Sequence, residues 1–184
     1  MPEDQGQDKA AWVRSVLEQY EAPLVQYATR ITGRLDLARD VVQETFLRLC
    51  RQRRSEVDGH LPEWLFTVCR NRALDVRRKE SRMTLLTEAE IESRANHQAG
   101  PGEIVEQQEA ASHVLRLLGA LLKNQQEVIR LKFQHGLSYR QISGVTKLTV
   151  TNVGYLIHTG LKTLRAQLNG AKSDEAPAAL RRVP

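Results

Sequence analysis

Residues 137–168 contain two helical patterns separated by a break of only a few residues, and this stretch constrains the fold most. Gly136 suits the end of a preceding helix, because glycine adopts the left-handed backbone conformation without strain. Ser138 and Gln141 form the S-x-x-Q pattern of a capping box, and Thr149 is a second helix-capping candidate. Apolar side chains then recur at helical spacing, at Val153, Ile157, Leu161, Leu164 and Leu168. A short helix, a turn and a longer helix predict a helix-turn-helix, whose second helix enters the major groove of DNA.

The side of this second helix that lies away from the apolar stripe carries a run of hydrogen-bonding side chains. Near its start, Thr151, Asn152 and Tyr155 are candidates for reading bases, and an asparagine can make a bidentate contact with adenine. Arg140 and Lys147, which precede the helix, are candidates for holding phosphates. A helical hairpin that merely packs is the alternative, but the formal net charge of +5 favours a nucleic-acid partner. The full candidate set is Arg140, Lys147, Thr151, Asn152, Tyr155, His158, Thr159 and Lys162.

The length of 184 residues fits one domain or two small ones, and a hydrophobic content of 41% is sufficient for a core. No apolar run reaches the roughly 18 residues of a membrane-spanning helix. The first residues, MPEDQGQDKAA, are too polar for a secretory signal, so we expect a cytoplasmic protein without a membrane partner. Cys50 and Cys69 form no C-x-x-C pattern, so we expect two buried thiols rather than a zinc site or a disulfide.

The sequence offers no pattern that would support catalysis. It has no glycine-rich phosphate loop, no H-E-x-x-H pattern and no carboxylate cluster, and its five histidines keep no ligand spacing. An active site needs a nucleophile, a base and an orienting group together. We therefore expect neither enzymatic activity nor a metal or other cofactor.

The N-terminal part of the chain predicts a series of amphipathic helices. We expect Pro23 to break or restart the first helix, because proline has no amide to donate. Asp36 is the predicted cap of the second helix, which runs to about Arg51. Asp40 and Glu44 repel each other weakly at i and i+4. A solvated face is the usual explanation of such charges, and docking on a basic partner is the alternative that the outward Leu47 beside them supports. The outer side of this helix carries Asp40, Gln43, Glu44, Leu47 and Arg48.

Residues 53–60 have the polarity and the glycine of a surface loop. Leu61 and Pro62 then open another helix, with an apolar inner face and a basic end. A basic end complements the helix dipole, but the arginines here exceed what the dipole needs, so contact with nucleic acid is favoured. The candidate contacts are Arg70, Asn71, Arg77, Arg78 and Lys79.

The composition changes before the helix-turn-helix. Acidic and small residues dominate residues 84–103, and the segment NHQAGPG at 96–102 is typical of a linker. Helical patterns resume at residues 104–122 and 125–135. We therefore predict an all-α protein of two small helical domains, the C-terminal one a helix-turn-helix. The predicted boundaries are 10–82 and 104–170 for the domains, 83–103 for a flexible linker and 171–184 for a mobile tail.

Three segments of the chain resemble the motifs of one family. Residues 40–48, DVVQETFLR, are similar to a D-x-x-Q-E-x-F pattern, and residues 61–75, LPEWLFTVCRNRALD, are similar to W-L-x-x-I-A-R-N-x-A-x-D. Residues 136–142, GLSYRQI, resemble the G-L-S-Y-x-E-I entry of a helix-turn-helix, whose turn has Lys147 where the family often has glycine. The chain thus resembles the extracytoplasmic-function, or group IV, sigma factors of bacterial RNA polymerase over roughly residues 13–168.

The resemblance implies a sigma factor that binds core RNA polymerase and directs it to specific promoters. The outer face of the second helix would bind the clamp helices of the beta-prime subunit, and the second domain would contact the beta flap. Residues 53–60 and the basic helix would capture and open the minus-ten element. The helix after Thr149 would read the minus-thirty-five element. An anti-sigma factor is a further partner that the family allows.

A conventional helix-turn-helix regulator, which binds operator DNA without polymerase, is the alternative function. Its N-terminal domain would then serve sensing or dimerisation. That alternative leaves residues 40–48 and the basic helix at 64–82 without a role, so the sigma-factor interpretation is favoured.

Overall fold

The computed structural model describes residues 3–88 and 116–174, and all regular structure in these two ranges is helical. The predicted all-α class is therefore confirmed. The described residues form two compact units, with residues 3–88 in the first and residues 116–143 and 148–174 in the second. The elements are α1 (Glu3–Thr32), α2 (Leu35–Arg51), α3 (Arg54–Val57), a 3-10 turn (Asp58–His60), α4 (Leu61–Glu88), a helical stretch at 116–119, α5 (Lys123–Phe133), α6 (Tyr139–Thr146) and α7 (Val150–Asp174).

The predicted domain limits fall partly outside the described residues. α4 continues to Glu88, past the predicted domain end at residue 82. α7 continues to Asp174, past the predicted start of the tail. The rest of the predicted linker, the predicted helix up to residue 115 and the rest of the tail lie outside the described residues, so these boundaries stay predictions.

In the N-terminal unit α1, α2 and α4 pack against one another. Each helix contributes one apolar side, as amphipathic helices around a shared core must. The ring of Tyr27 meets the ring of Phe66 edge-on, with 5.3 Å between their centroids. α2 buries one side and turns the opposite side to solvent, as its spacing predicted. The most buried side chains of this core include Leu24, Val41, Leu49, Leu65, Phe66 and Cys69.

Two predictions about helix ends in this unit are wrong. Pro23 lies inside a continuous α1, because Val16 before it and Leu24 after it are both buried and packing holds the two halves in one helix. Asp36 does not cap α2, because the helix has already begun and Arg34 is its cap. Asp36 lies in the first turn, where a hydrogen bond from the Arg34 guanidinium lowers the pKa of the Asp36 carboxyl.

The segment at residues 53–60 is helical rather than a loop, since α3 and the 3-10 turn occupy it. The Glu56 carboxylate accepts a hydrogen bond from the backbone amide of Arg53 at 3.2 Å. Val57 is buried and anchors the segment. The sequence did not predict this burial, because the residues around Val57 are polar. A further correction concerns the thiols: Cys69 is buried as predicted, but Cys50 is exposed.

The predicted helix-turn-helix is present at residues 137–168. Gly136, with a φ of +71°, ends the preceding helix in the left-handed conformation. Ser138 and Gln141 form the predicted capping box, with hydrogen bonds of 2.8 and 3.3 Å between their side chains and backbone amides. The Thr149 hydroxyl caps α7 by accepting a hydrogen bond from an amide of its first turn at 3.2 Å.

α7 packs against α5 in the C-terminal unit. Val153, Ile157 and Leu164 of the predicted apolar stripe are buried. Gly160 is buried at the crossing, where a Cβ would lie 2.6 Å from Cδ1 of Ile129. Leu122, the last residue of the helical pattern predicted at 104–122, is exposed because it precedes α5 as its cap.

Candidate functional site

The outer side of α2 presents Asp40, Gln43 and Leu47 to solvent. These residues share one face, because they are spaced by about one and two helical turns. Leu47 is 55% exposed. A large apolar side chain bordered by a carboxylate and an amide suits contact with another protein.

A shallow groove between α1 and α2 extends this apolar surface. Val13 and Leu17 of α1 line it together with Phe46 and Leu47 of α2. Asp40 lies at the same groove and supplies a negative charge. The exposed Leu47 therefore belongs to a larger apolar strip, which is the kind of surface that a partner helix covers.

Glu44 has a structural role that the sequence did not reveal. Its carboxylate pairs with Arg48 one turn later at 2.7 Å, and also with Arg72 of α4. The pair with Arg72 links α2 to α4. Glu44 and Arg48 are thus partly engaged within the unit, whereas Asp40 is exposed.

The predicted contacts on α4 do not share one face. At about 100° per residue, Asn71 and Arg78 lie opposite the core, Arg70 and Arg77 on one flank, and Lys79 on the other. Arg70 is half-buried, and the other four residues are exposed. The structure therefore forms a broad basic surface around the second half of α4 rather than a single row.

The predicted contacts on α7 form a row on its outward side. Thr151, Tyr155, His158 and Lys162 are exposed and follow one another along the side opposite the buried stripe. Tyr155 is the most prominent, with 64% of its surface exposed. Asn152 is also exposed and lies on one flank of this row.

Thr159 is placed differently from the other predicted contacts. It is half-buried, and its hydroxyl accepts a hydrogen bond from Nε2 of Gln125 in α5 at 3.1 Å. The same hydroxyl donates to the carbonyl of Tyr155 at 2.9 Å. Thr159 therefore serves the packing of α7 on α5 and is the predicted contact least available to DNA.

Lys147 lies in the turn just before α7, with a φ of +63°. Among the described residues it is the one non-glycine residue with a positive φ. The Ser143 hydroxyl closes this turn by donating to the carbonyl of Leu148 at 2.6 Å. Lys147 and Arg140 are both exposed beside the start of α7, where side chains of a helix-turn-helix can reach phosphates.

Sequence reasoning missed Val150, the first residue of α7. Its side chain is 47% exposed beside Thr151. The sequence gives no signal for this exposure, because Val150 precedes Val153 by three residues, which is the spacing of the buried stripe itself.

The described residues contain neither a metal-binding cluster nor a membrane-spanning helix. In residues 3–88 and 116–174, no three His, Cys, Asp or Glu side chains cluster as a metal site would require. Within the same ranges, no helix is both long enough and apolar enough to span a bilayer.

The sequence matches two family models, and the two matches together contain the three surfaces described above. Sigma-70 region 2 matches residues 16–83, which include the outer side of α2 and the basic part of α4. Sigma-70, region 4 matches residues 113–164, which include the helix-turn-helix.

Relatives align along most of the chain. SigL of Mycobacterium tuberculosis, an ECF RNA polymerase sigma factor, is 32% identical over 165 residues, which are 87% of this chain and 90% of SigL. SigM of Bacillus subtilis, also an ECF RNA polymerase sigma factor, is 24% identical over 164 residues, which are 89% of this chain and 99% of SigM. The sigma factor RpoE of Bartonella quintana, solved in complex with the anti-sigma factor NepR, has a similar fold, with a TM-score of 0.58, 23% identity and coverage of 85% of this chain and 96% of that chain. The chain therefore belongs to the extracytoplasmic-function sigma factors, which bind core RNA polymerase and direct it to promoters.

Proposed function

We propose that the outer side of α2 is the surface through which this sigma factor binds the clamp helices of the beta-prime subunit. The exposure of Leu47, at 55% on a helix whose opposite side is buried, is the observation that carries this assignment. Asp40 and Gln43 border it and suit a basic, hydrogen-bonding partner. Glu44 and Arg48 contribute at the edge, since each is partly engaged with the other.

Replacing Asp40→Ala together with Leu47→Ala tests this surface. Both side chains are exposed, so the stability of the fold should change by less than about 0.5 kcal/mol. Affinity for core polymerase should fall about tenfold or more, which is about 1.4 kcal/mol. Glu44→Ala is the contrasting variant, because loss of its pairs with Arg48 and Arg72 should lower stability by up to about 1 kcal/mol. Unchanged polymerase affinity of a folded double variant would refute the assignment.

The basic surface of α4, together with the exposed side chains of residues 53–60, is proposed to capture and open the minus-ten element. Extruding a base costs a few kcal/mol, which must be recovered by holding the separated strand. Asn71 lies on the outward side, where it can hydrogen-bond an unpaired base, and Arg77, Arg78 and Lys79 can follow the phosphates. Arg70, which is half-buried, supports this surface from its flank.

Permanganate footprinting of thymines in a cognate promoter tests this opening role. Only exposed side chains should be changed, because the buried Val57 anchors residues 53–60. Asn71→Ala and His60→Ala should reduce opening while leaving polymerase binding intact. Normal opening and unaltered base preference in both variants would mean that this surface is only a scaffold.

The outward row of α7 is proposed to read the minus-thirty-five element in the major groove, with the beta flap as the protein neighbour of this unit. Thr151, Asn152 and Tyr155 lie nearest the start of the helix, which is the end that contacts base edges in a helix-turn-helix. Arg140 and Lys147 would hold phosphates and set the register. His158 and Lys162 continue the row towards the groove wall.

Sigma factors act through binding, and we infer that this chain needs no catalysis, metal or other cofactor of its own. We place it in the cytoplasm, where bacterial polymerase works. RpoE of Bartonella quintana is held by an anti-sigma factor, and we propose a regulator of the same class for this chain. Co-purification of the tagged chain from cells of its own species tests that partner.

Run-off transcription separates the sigma-factor role from that of a conventional helix-turn-helix regulator. The purified chain with core polymerase should initiate at defined positions on a genomic library, and core polymerase alone should not. A chain that binds duplex DNA by itself but adds no specific initiation would favour the regulator.

A further inference from the structure

The reading side of α7 is unusual in its chemistry. Residues 150–161 include no lysine or arginine, and the first basic side chain is Lys162. At about 1.5 Å per residue, Lys162 lies roughly 18 Å along the axis from the helix start. Arginine and lysine are the residues that most often read guanine. The first three turns of α7 therefore lack the usual means of selecting G·C pairs.

At the start of α7 an apolar flank lies between the buried stripe and the outward row. Val150, which is 47% exposed, begins this flank. Gly154 follows one turn later, and a Cβ there would lie 3.7 Å from the ring of Tyr139. Asn152 lies on the other flank, about 160° away around the helix axis. The row is thus bordered by a methyl-bearing side chain on one side and an amide on the other.

We propose that Val150 is a specificity-determining residue that contacts the 5-methyl group of a thymine, so that α7 selects A·T pairs in the minus-thirty-five element. The proposal rests on the proposed function of α7. In the major groove only thymine presents a methyl group, whereas cytosine presents an amino donor. Valine cannot accept a hydrogen bond, so covering that amino group would leave it unsatisfied. Asn152 adds the complementary preference for adenine.

Replacing thymine by uracil removes only the 5-methyl group, so it tests the proposed contact with Val150 directly. Each thymine of the minus-thirty-five element in a cognate promoter is replaced by uracil, and open-complex formation is measured with holoenzyme containing the full chain. With the parent chain, uracil at one position should reduce open-complex formation about fourfold, since a buried methyl group contributes about 0.8 kcal/mol. In Val150→Ala that position should become insensitive to uracil, because the two changes remove one contact.

Matched variants keep the result interpretable. Phe133→Ala removes another exposed apolar side chain outside α7 and should keep the parental uracil sensitivity. Val150→Thr preserves the branched shape at the helix start, so it provides a folded variant if Val150→Ala unfolds. Its uracil sensitivity should fall by less than that of Val150→Ala, because threonine keeps one of the two methyl groups of valine.

Two negative results have different meanings. If no uracil position affects the parent, or if selection from a randomised element returns G·C pairs opposite the start of α7, the assignment of Val150 is overturned while the proposed reading function stands. If randomising the whole minus-thirty-five element leaves initiation unchanged, the proposed reading function itself fails.

Discussion

Lys147 combines a strained backbone with a charge at the entrance to α7. Its φ of +63° places it in the left-handed region. That conformation costs an L-residue roughly 1–2 kcal/mol, and glycine avoids the cost. If Lys147 holds a phosphate as proposed, the residue favours binding at the expense of stability.

Lys147→Gly should therefore raise the stability of the fold and weaken DNA binding at the same time. The relieved strain of roughly 1–2 kcal/mol exceeds the extra unfolded-state entropy of glycine, roughly 0.5–1 kcal/mol, so urea unfolding should show a gain of up to about 1 kcal/mol. Loss of one phosphate contact should reduce the slope of log affinity against log salt by about 1. Lys147→Ala is the control, since it loses the same charge but keeps the strain. A glycine variant less stable than the alanine variant would contradict this account.

The two thiols should differ sharply in reactivity. Burial raises the pKa of the Cys69 thiol to about 12, so the group stays protonated and inaccessible at neutral pH, whereas Cys50 is exposed. A disulfide reagent at pH 8 should label Cys50 in the folded chain and Cys69 only after unfolding in urea. Cys50→Ser should show no fast labelling. Rapid reaction of both thiols in the native protein would show that Cys69 is not enclosed.

At the scale of elements, the contact of α7 with α5 decides which positions of α7 can meet DNA. The absence of a side chain at Gly160 lets the two helices approach closely. Thr159, beside it, is held by Gln125 of α5. As a result, the row from Thr151 to Lys162 stays exposed, whereas Thr159 on the flank of that row is half-buried.

Two glycine-to-alanine changes in α7 should have opposite effects on stability. At Gly154 a Cβ makes ordinary contact with Tyr139, so alanine should stabilise by about 1 kcal/mol through its helix propensity. At Gly160 a Cβ would meet the buried Ile129, so Gly160→Ala should destabilise by roughly 1–3 kcal/mol despite the same propensity. Thermal unfolding monitored by circular dichroism measures both. Equal effects would mean that the α5–α7 contact is looser than the structure shows.

At the scale of the whole molecule, a net charge of +5 is modest, and the proposed DNA contacts depend on how that charge is distributed. One concentration of positive charge surrounds the second half of α4 in the N-terminal unit. Another flanks the start of α7, at Arg140 and Lys147. Two such sites on one chain allow two separate contacts with one promoter.

The combined change Arg77→Ala and Arg78→Ala tests the first of these contacts in the holoenzyme. Single-stranded DNA releases about 0.7 counterions per neutralised phosphate and duplex DNA about 0.9. The salt slope of promoter binding should therefore fall by about 1.4 if both arginines hold the opened strand, and by about 1.8 if they hold duplex. The exposed Arg14, away from α4, provides a control variant, Arg14→Ala, with an unchanged slope. An unchanged slope in the double variant would exclude phosphate contact by these arginines.

Local physical chemistry was sufficient to predict the helix-turn-helix and the buried sides of α2 and α7. The capping box of Ser138 and Gln141, the left-handed Gly136 and the cap at Thr149 all depend on residues within a few positions of one another, so their pattern is legible in the sequence. The apolar spacing that buries Val153 and Ile157 is likewise periodic along one helix. The family motif at residues 136–142 lies in this same segment and contains Gly136, Ser138 and Gln141.

Only the tertiary structure decided which outward residues are available for binding. Glu44 was predicted to be repelled by its neighbour, but it pairs with Arg72, a residue of another helix. Val57 is buried within a polar segment, and Pro23 is tolerated inside α1, because contacts with distant parts of the chain outweigh the local preference. Thr159, a predicted DNA contact, is half-buried for the same reason, because its hydroxyl is held by Gln125 of the helix packed against α7. Such contacts join residues far apart in sequence, and no local pattern records them.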